Sequence, residues 1–446
     1  MLFLGANVIA NNWLQIPDAE MTLVALSPAI FFVAISSVMR GYFNGRQKIK
    51  ATAKSQTIEQ IFKTSLTIVL VEIIAIISNV STEWMASGAT LATTLATMSG
   101  FGYLIIYYKT ERKEVAKEIL NSKKYTYERI RTIIKRILLV SIPIALTAIM
   151  SSLNKNIDSF TVVRSLKQFM SEDMAISQYG ILGGKVDALT SLPLSINVAF
   201  STALVPAVAA AKAKNDKKTI TRKTSFSLLT SMLIGLPCTI GMCIFADPIL
   251  QLLYPTASKG AIILQISSLT ILFTILDQTI NGALQGYGKL KIPAISLGVG
   301  VIVKLILNLI LVPIPEIGVK GAAWASVACH LVAFSIAFTM LIKNIKLDLT
   351  FSKFIIKPIL ATVMMSICSY YSYLVLSGII STNMATILSI MLAGLIYVLA
   401  LVVLKIFTEE EISMLPGGSQ ILKILKKVRI YKKEIKKRRI LTFFGE

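Results

Sequence analysis

Six ionisable residues stand inside stretches of this chain that are otherwise apolar: Lys63, Lys185, Asp187, Asp277, Lys304 and the single histidine, His330. A charge at the centre of a bilayer costs roughly 2.5–3.5 kcal/mol on insertion scales, so it is retained where it pairs, lines an aqueous path or holds a ligand. Ammonium groups in such places suit phosphate. With a helix starting near Ile292, Lys304 lies about 18 Å along it at about 1.5 Å per residue, close to the midplane. A lysine stem recovers only a few Å of that depth by snorkelling, so a cavity-facing role is expected. Glu59 lies one turn before Lys63 and is expected as its intrahelical partner. Lys185 and Asp187 fall in GGKVDALTSLP, where Gly183, Gly184 and Pro193 interrupt the helix, as happens where backbone lines a cavity. Asp277, in ILDQTINGALQG, suits a residue that binds substrate or a coupling ion. Asn154, Asp158 and Arg164 are placed at an outer helix end. Cys238, Cys243, Cys329 and Cys368 lie in apolar helices with His330, so neither a disulfide framework, a metal site nor a cofactor is expected. His330 is read as a polar residue packed between helices.

The elements that carry these residues are membrane helices. Of the 446 residues 54% are hydrophobic and 15% charged, too little polar surface for a water-soluble globule of this length. Residues 24–43, 57–78, 86–108, 224–246, 261–285, 292–313, 321–343, 354–376 and 383–406 could each cross a hydrocarbon core of about 30 Å as a helix. Two further crossings, near 134–153 and 182–211, are broken by polar residues, which gives eleven in all. The net charge of +23 raises nucleic acid as a partner, but the basic residues are distributed as topology requires. With the connection 109–136 in the cytoplasm and sides alternating, 38 Lys/Arg fall inside and only Lys155, Arg164, Lys167, Lys259 and Lys320 outside. The C-terminus is then cytoplasmic, and no nucleic-acid partner is expected. Arg40, Arg46, Lys48 and Lys50 form a basic rim on that face, and the tail after Pro416 has the character of a basic helix lying on anionic lipid. The longest outer stretch, about 153–180, holds only Asp158, Glu172 and Asp173 as carboxylates, which argues against a membrane glycosyltransferase or polymerase.

The chain also repeats itself. Residues 40–71 align without gaps on 281–312 with 11 of 32 identities, among them Gly41/Gly282, Gly45/Gly286, Lys48/Lys289, Lys50/Lys291 and Lys63/Lys304. Further on, GATLAT from Gly88 matches GAAWAS from Gly321. The offset of about 240 residues is six helices with their loops, so the copies enter the membrane in the same direction, as parallel repeats with a substrate path between them. The repeat mate of Asp277 is Ser36. Run backward, the offset places the start of the first copy before residue 1, so its first two helices and most of its third are expected to be missing. Five segments follow: an N-lobe at 1–108, a cytoplasmic linker at 109–133, a C-lobe at 134–343, a C-terminal helix pair at 344–406 and a basic tail at 407–446.

The stretch SPAIFFVAISSVMRGYFNGRQKIKATAKSQTIEQIF resembles the stage V sporulation protein B family, within the superfamily of MATE exporters, polysaccharide flippases and the lipid II flippase. Similar matches are NKNIDSFTVVRSL, SLPLSINVAFSTALVPAVAAA, GALQGYGKLKIP and TEEEISMLPGG, so the likeness runs along essentially the whole chain. It implies an all-α polytopic fold of two pseudo-symmetric lobes plus two C-terminal helices. It also implies a flippase of a bacterial cytoplasmic membrane whose cargo is an undecaprenyl-pyrophosphate-linked saccharide, lipid II or a related polysaccharide precursor. The resemblance favours Asp158 and Arg164 as site residues, and the protein is expected to act as a monomer among anionic lipids. A MATE-type drug or cation antiporter, or an inactive truncated form, is the alternative reading.

Overall fold

A computed structural model describes residues 2–14, 19–46, 48–77, 82–121 and 128–414. Among them the secondary structure is helical throughout. Contacts divide the chain into two units, Met1–Glu128 and Arg129–Glu446.

The first unit begins with the short helix α1 (Leu2–Val8), which continues as a wider turn through Ile9–Leu14. Three long helices follow: α2 (Ala19–Gly45), α3 (Ile49–Ile77) and α4 (Thr82–Asn121). At 40 residues α4 spans about 60 Å, twice a hydrocarbon core, so the stretch 109–121 expected as linker is a continuation of the helix.

The second unit opens with α5 (Ile130–Leu166), then α6 (Glu172–Gly180), which runs through a π-helical segment (Ile181–Val186) into α7 (Asp187–Ala213). Next come α8 (Lys217–Ile244), the short α9 (Ala246–Leu253), α10 (Ala261–Gly286), α11 (Lys291–Leu311) and α12 (Val319–Asn344). The chain ends its described part with α13 (Lys357–Ser377), α14 (Thr382–Val403) and α15 (Glu409–Met414). Tyr397 of α14 donates to Leu233 O of α8 at 2.8 Å, which ties the C-terminal pair to the unit's core. The basic tail expected beyond Pro416 lies outside the described residues.

Ten helices among the described residues are long and apolar enough to cross a membrane. The eleventh expected crossing, 57–78, falls on α3, whose 29 residues are long enough but carry Glu59, Lys63 and Glu72 in their apolar half. Pro143, Pro193, Pro206 and Pro237 sit inside helices, as neighbouring helices in a membrane bundle permit.

Small residues set the closest packing. A Cβ added at Gly282 or Gly286 of α10 would stand 2.6 Å from Ser201 O or Val205 O of α7, so the GALQG motif brings two backbones together. The repeat is visible in equivalent contacts: Gly88 of α4 faces Leu70 of α3, and its mate Gly321 of α12 faces Leu311 of α11, the mate of Leu70.

Candidate functional site

Asn154, Asp158 and Thr161 recur at helical spacing and so share one face of α5. On α11 the pair Lys304 and Asn308, one turn apart, faces them. Lys304 Nζ donates to Asp158 Oδ2 at 2.7 Å and to Asn154 O at 2.8 Å. Asn308 Nδ2 donates to Asp158 Oδ1 and Thr161 Oγ1, each at 2.9 Å. From α12, His330 Nε2 lies 3.3 Å from Asn154 Nδ2, and Cys329 Sγ lies 3.5 Å from Asn154 Oδ1. Lys304 is 3% exposed and Asp158 8%, so this is a buried ion pair with both carboxylate oxygens and the ammonium hydrogen-bonded. Taking two charges out of water is repaid only by such geometry, and removal of either partner leaves an uncompensated buried charge.

This placement corrects two expectations. Lys304 does not open onto a cavity here, because its ammonium is drawn to Asp158 inside the unit. Asp158 and Asn154 are not at a helix end, because α5 runs on to Leu166. His330 packs between helices, with Asn154 reaching it from α5. Asn308 and Thr161 were missed, although the lone asparagine one turn beyond Lys304 in an apolar run was the available signal. Arg164 is exposed on the last turn of α5.

In the first unit, Glu59 accepts from Arg40 Nη2 of α2 at 2.6 Å, and the same nitrogen donates to Ser55 at 3.0 Å. The pair expected between Glu59 and Lys63 is therefore replaced by one between helices, and Lys63 is exposed. The basic rim is met by the extended α4: Arg46 pairs with Glu118 at 2.5 Å, and Lys48 with Glu111 and, at 3.2 Å, with Glu114. Those glutamates belong to the stretch read as linker. Lys50 is exposed.

Lys185, in the π-helical segment, donates to Ala257 O and lies 5.3 Å from the ring centre of Tyr254, so it is tied to the segment preceding α10. Asp187 is exposed two residues on. Asp277 is buried on α10; Asn281 Nδ2 donates to its Oδ2 at 2.8 Å, while Oδ1 has no partner among the described residues. The structure thus joins Lys304 to Asp158 and Glu59 to Arg40, and leaves Lys63, Lys185, Asp187, Asp277 and Arg164 apart from those pairs. Among the described residues no group of His, Cys, Asp and Glu could hold a metal ion.

Comparison with known proteins agrees with this architecture. The chain is 24% identical over 422 residues to the stage V sporulation protein B of Bacillus subtilis, covering 92% of this chain and 78% of that one. It is 25% identical over 337 residues to the lipid II flippase MurJ of the same organism, covering 74% of this chain and 61% of that one. A solved lipid II flippase MurJ in an inward closed conformation superimposes with a TM-score of 0.59 at 17% identity, covering 86% of this chain and 73% of that one, which establishes the fold. The model of the lipid II flippase MurJ family matches residues 20–398, both copies of the repeat included, and the chain belongs to that family.

Proposed function

We propose that this protein moves a lipid-linked saccharide bearing a pyrophosphate across the bacterial cytoplasmic membrane by alternating access, without catalysing a covalent step. The observation that carries this reading is the family match over residues 20–398, which takes in every membrane helix from α2 to α13 and most of α14. The geometry supports it through Lys304. A cation held deep in a bundle needs an anion, and in the present arrangement Asp158 supplies one. A substrate pyrophosphate is chemically equivalent to that carboxylate and carries more charge, so it competes for Lys304 when α5 and α11 separate. Asp158 then parks the lysine when no substrate is bound; Lys63, the exposed repeat mate of Lys304, is a separate candidate cation on α3. Lys185, Arg164, Asp187 and Asp277 line the remaining path in this reading, with Arg40 and Glu59 bracing α2 against α3. The protein works as a monomer with its C-terminus in the cytoplasm and anionic lipids around its basic face.

The test is accessibility of lipid II to an externally added cleaving enzyme in cells depleted of their own flippases. Expression of this chain should restore cleavage, and Lys304→Ala should lower it at least about tenfold at equal membrane abundance. Export unchanged by Lys304→Ala would remove Lys304 from the mechanism; no export by the parent chain would remove the flippase reading itself.

A further inference from the structure

The rim in the first unit is largely neutralised by glutamates, so the surplus positive charge lies elsewhere. A cavity of about 1020 Å³ in the second unit is bordered by the first turns of α8, the end of α12, the connector after it and the start of the segment leading into α13. Lys217, Lys218 and Arg222 approach from α8, Lys343 and Lys346 from α12 and the connector, and Lys353 from beyond it. Among the described residues two carboxylates share the lining, Asp348 and Glu411. Glu411 is already committed, since both its oxygens accept from Lys353 at 2.7 Å.

Topology requires lysines somewhere on this face, but not that three separate stretches of chain converge on one concave space. Like charges so gathered repel, and an entering anion relieves that repulsion. The volume exceeds a single phosphate and falls at the upper end of ligand-sized clefts. The chain's own tail is not a suitable occupant, because Lys423–Arg439 carries ten Lys/Arg and one glutamate.

We infer that this cavity binds a ligand with two adjoining phosphates, held by Lys217, Lys218, Lys343 and Lys346. The inference does not rest on the flippase reading, because binding is measured without transport. Purified full-length protein in neutral detergent is unfolded thermally with increasing inorganic pyrophosphate, and separately with farnesyl diphosphate as a lipid-borne probe. At saturation one or both should raise Tm by at least about 2 °C. The Lys218→Glu/Lys346→Glu variant should lose that shift, whereas Lys214→Glu/Lys289→Glu, with the same net charge but altered outside the cavity, should keep it. Should the first variant misfold, Lys218→Gln/Lys346→Gln serves in its place. Saturation by farnesyl diphosphate about tenfold below pyrophosphate identifies a lipid head group as the source, and equal saturation a soluble diphosphate. No shift with either probe, or equal loss in both variants, overturns the inference.

Discussion

Lys304→Met and Asp158→Asn test the buried pair directly. In Lys304→Met, Asp158 keeps the Asn308 amide on Oδ1 at 2.9 Å, but its Oδ2 loses the ammonium 2.7 Å away. In Asp158→Asn, the ammonium keeps Asn154 O at 2.8 Å and loses its counter-charge. Stranding one partner of a buried ion pair costs about 3–5 kcal/mol, whereas replacing both with neutral groups is nearly neutral. The lysine variant should therefore lose about 3–5 kcal/mol, the asparagine variant about 2–3 and the double variant about 1–2, a coupling of about 3–7 kcal/mol. Neutral side-chain hydrogen bonds between membrane helices couple by only about 0.6 kcal/mol on average, so the value separates an ion pair from ordinary polar contact. The assay is a double-mutant cycle on equilibrium unfolding in mixed micelles. Coupling below about 1 kcal/mol, or three variants that unfold together with the parent, would refute a desolvated Lys304–Asp158 pair.

Three further outcomes follow from the geometry. Gly300→Ala puts a Cβ 2.6 Å from Cys329 O, a backbone atom that cannot step aside, and should destabilise by about 1–3 kcal/mol; Gly241→Ala, with nothing within 4 Å, should be neutral or better on the same unfolding curve. Glu59→Gln should destabilise the first unit more than Lys63→Gln, because Glu59 is bonded to Arg40 and Lys63 is exposed; limited proteolysis of the two variants checks the order. Burial raises the Glu411 pKa, but the Lys353 hydrogen bond, with Thr408 N–H, outweighs it and leaves the group below its ordinary 4.5. A depressed folded pKa gives stability that is present above 4.5 and lost as pH falls through the lower folded value, so Glu411→Gln should flatten the acid limb of a Tm against pH profile.

The helices, the repeat and the position of Lys304 along α11 were legible because each is a one-dimensional property: apolar length, periodic identity and residues counted from a helix start. Pairing was not, because it depends on helix rotation and on where a helix stops. Glu59 has an equally spaced lysine on its own helix, yet Arg40 from α2 takes it. Asp158 sits beyond the apolar run of α5 and so read as an end, but α5 continues about two turns past it to Leu166. The partners of the rim cations were hidden for the same reason. Glu111, Glu114 and Glu118 follow the apolar part of α4, and only the persistence of that helix lines them up against Arg46 and Lys48.

The two copies also show why equivalent positions diverge. Residue 59 aligns with residue 300, a glutamate in one copy and a glycine in the other. In the second unit α11 approaches α12 so closely that a Cβ at Gly300 would meet Cys329 O at 2.6 Å, so no side chain fits. In the first unit the glycine is on the opposite helix: a Cβ at Gly100 of α4 would meet Glu59 Oε2 at 3.2 Å, and Ser55 donates to Gly100 O at 3.2 Å. Close helix approach is kept in both copies while the residue that permits it changes sides. That exchange makes room for the Arg40–Glu59 pair in one copy, while in the other the charge is carried by Lys304 and answered from α5. The conserved element of the repeat is thus a backbone distance, and the charged residues are free to differ around it.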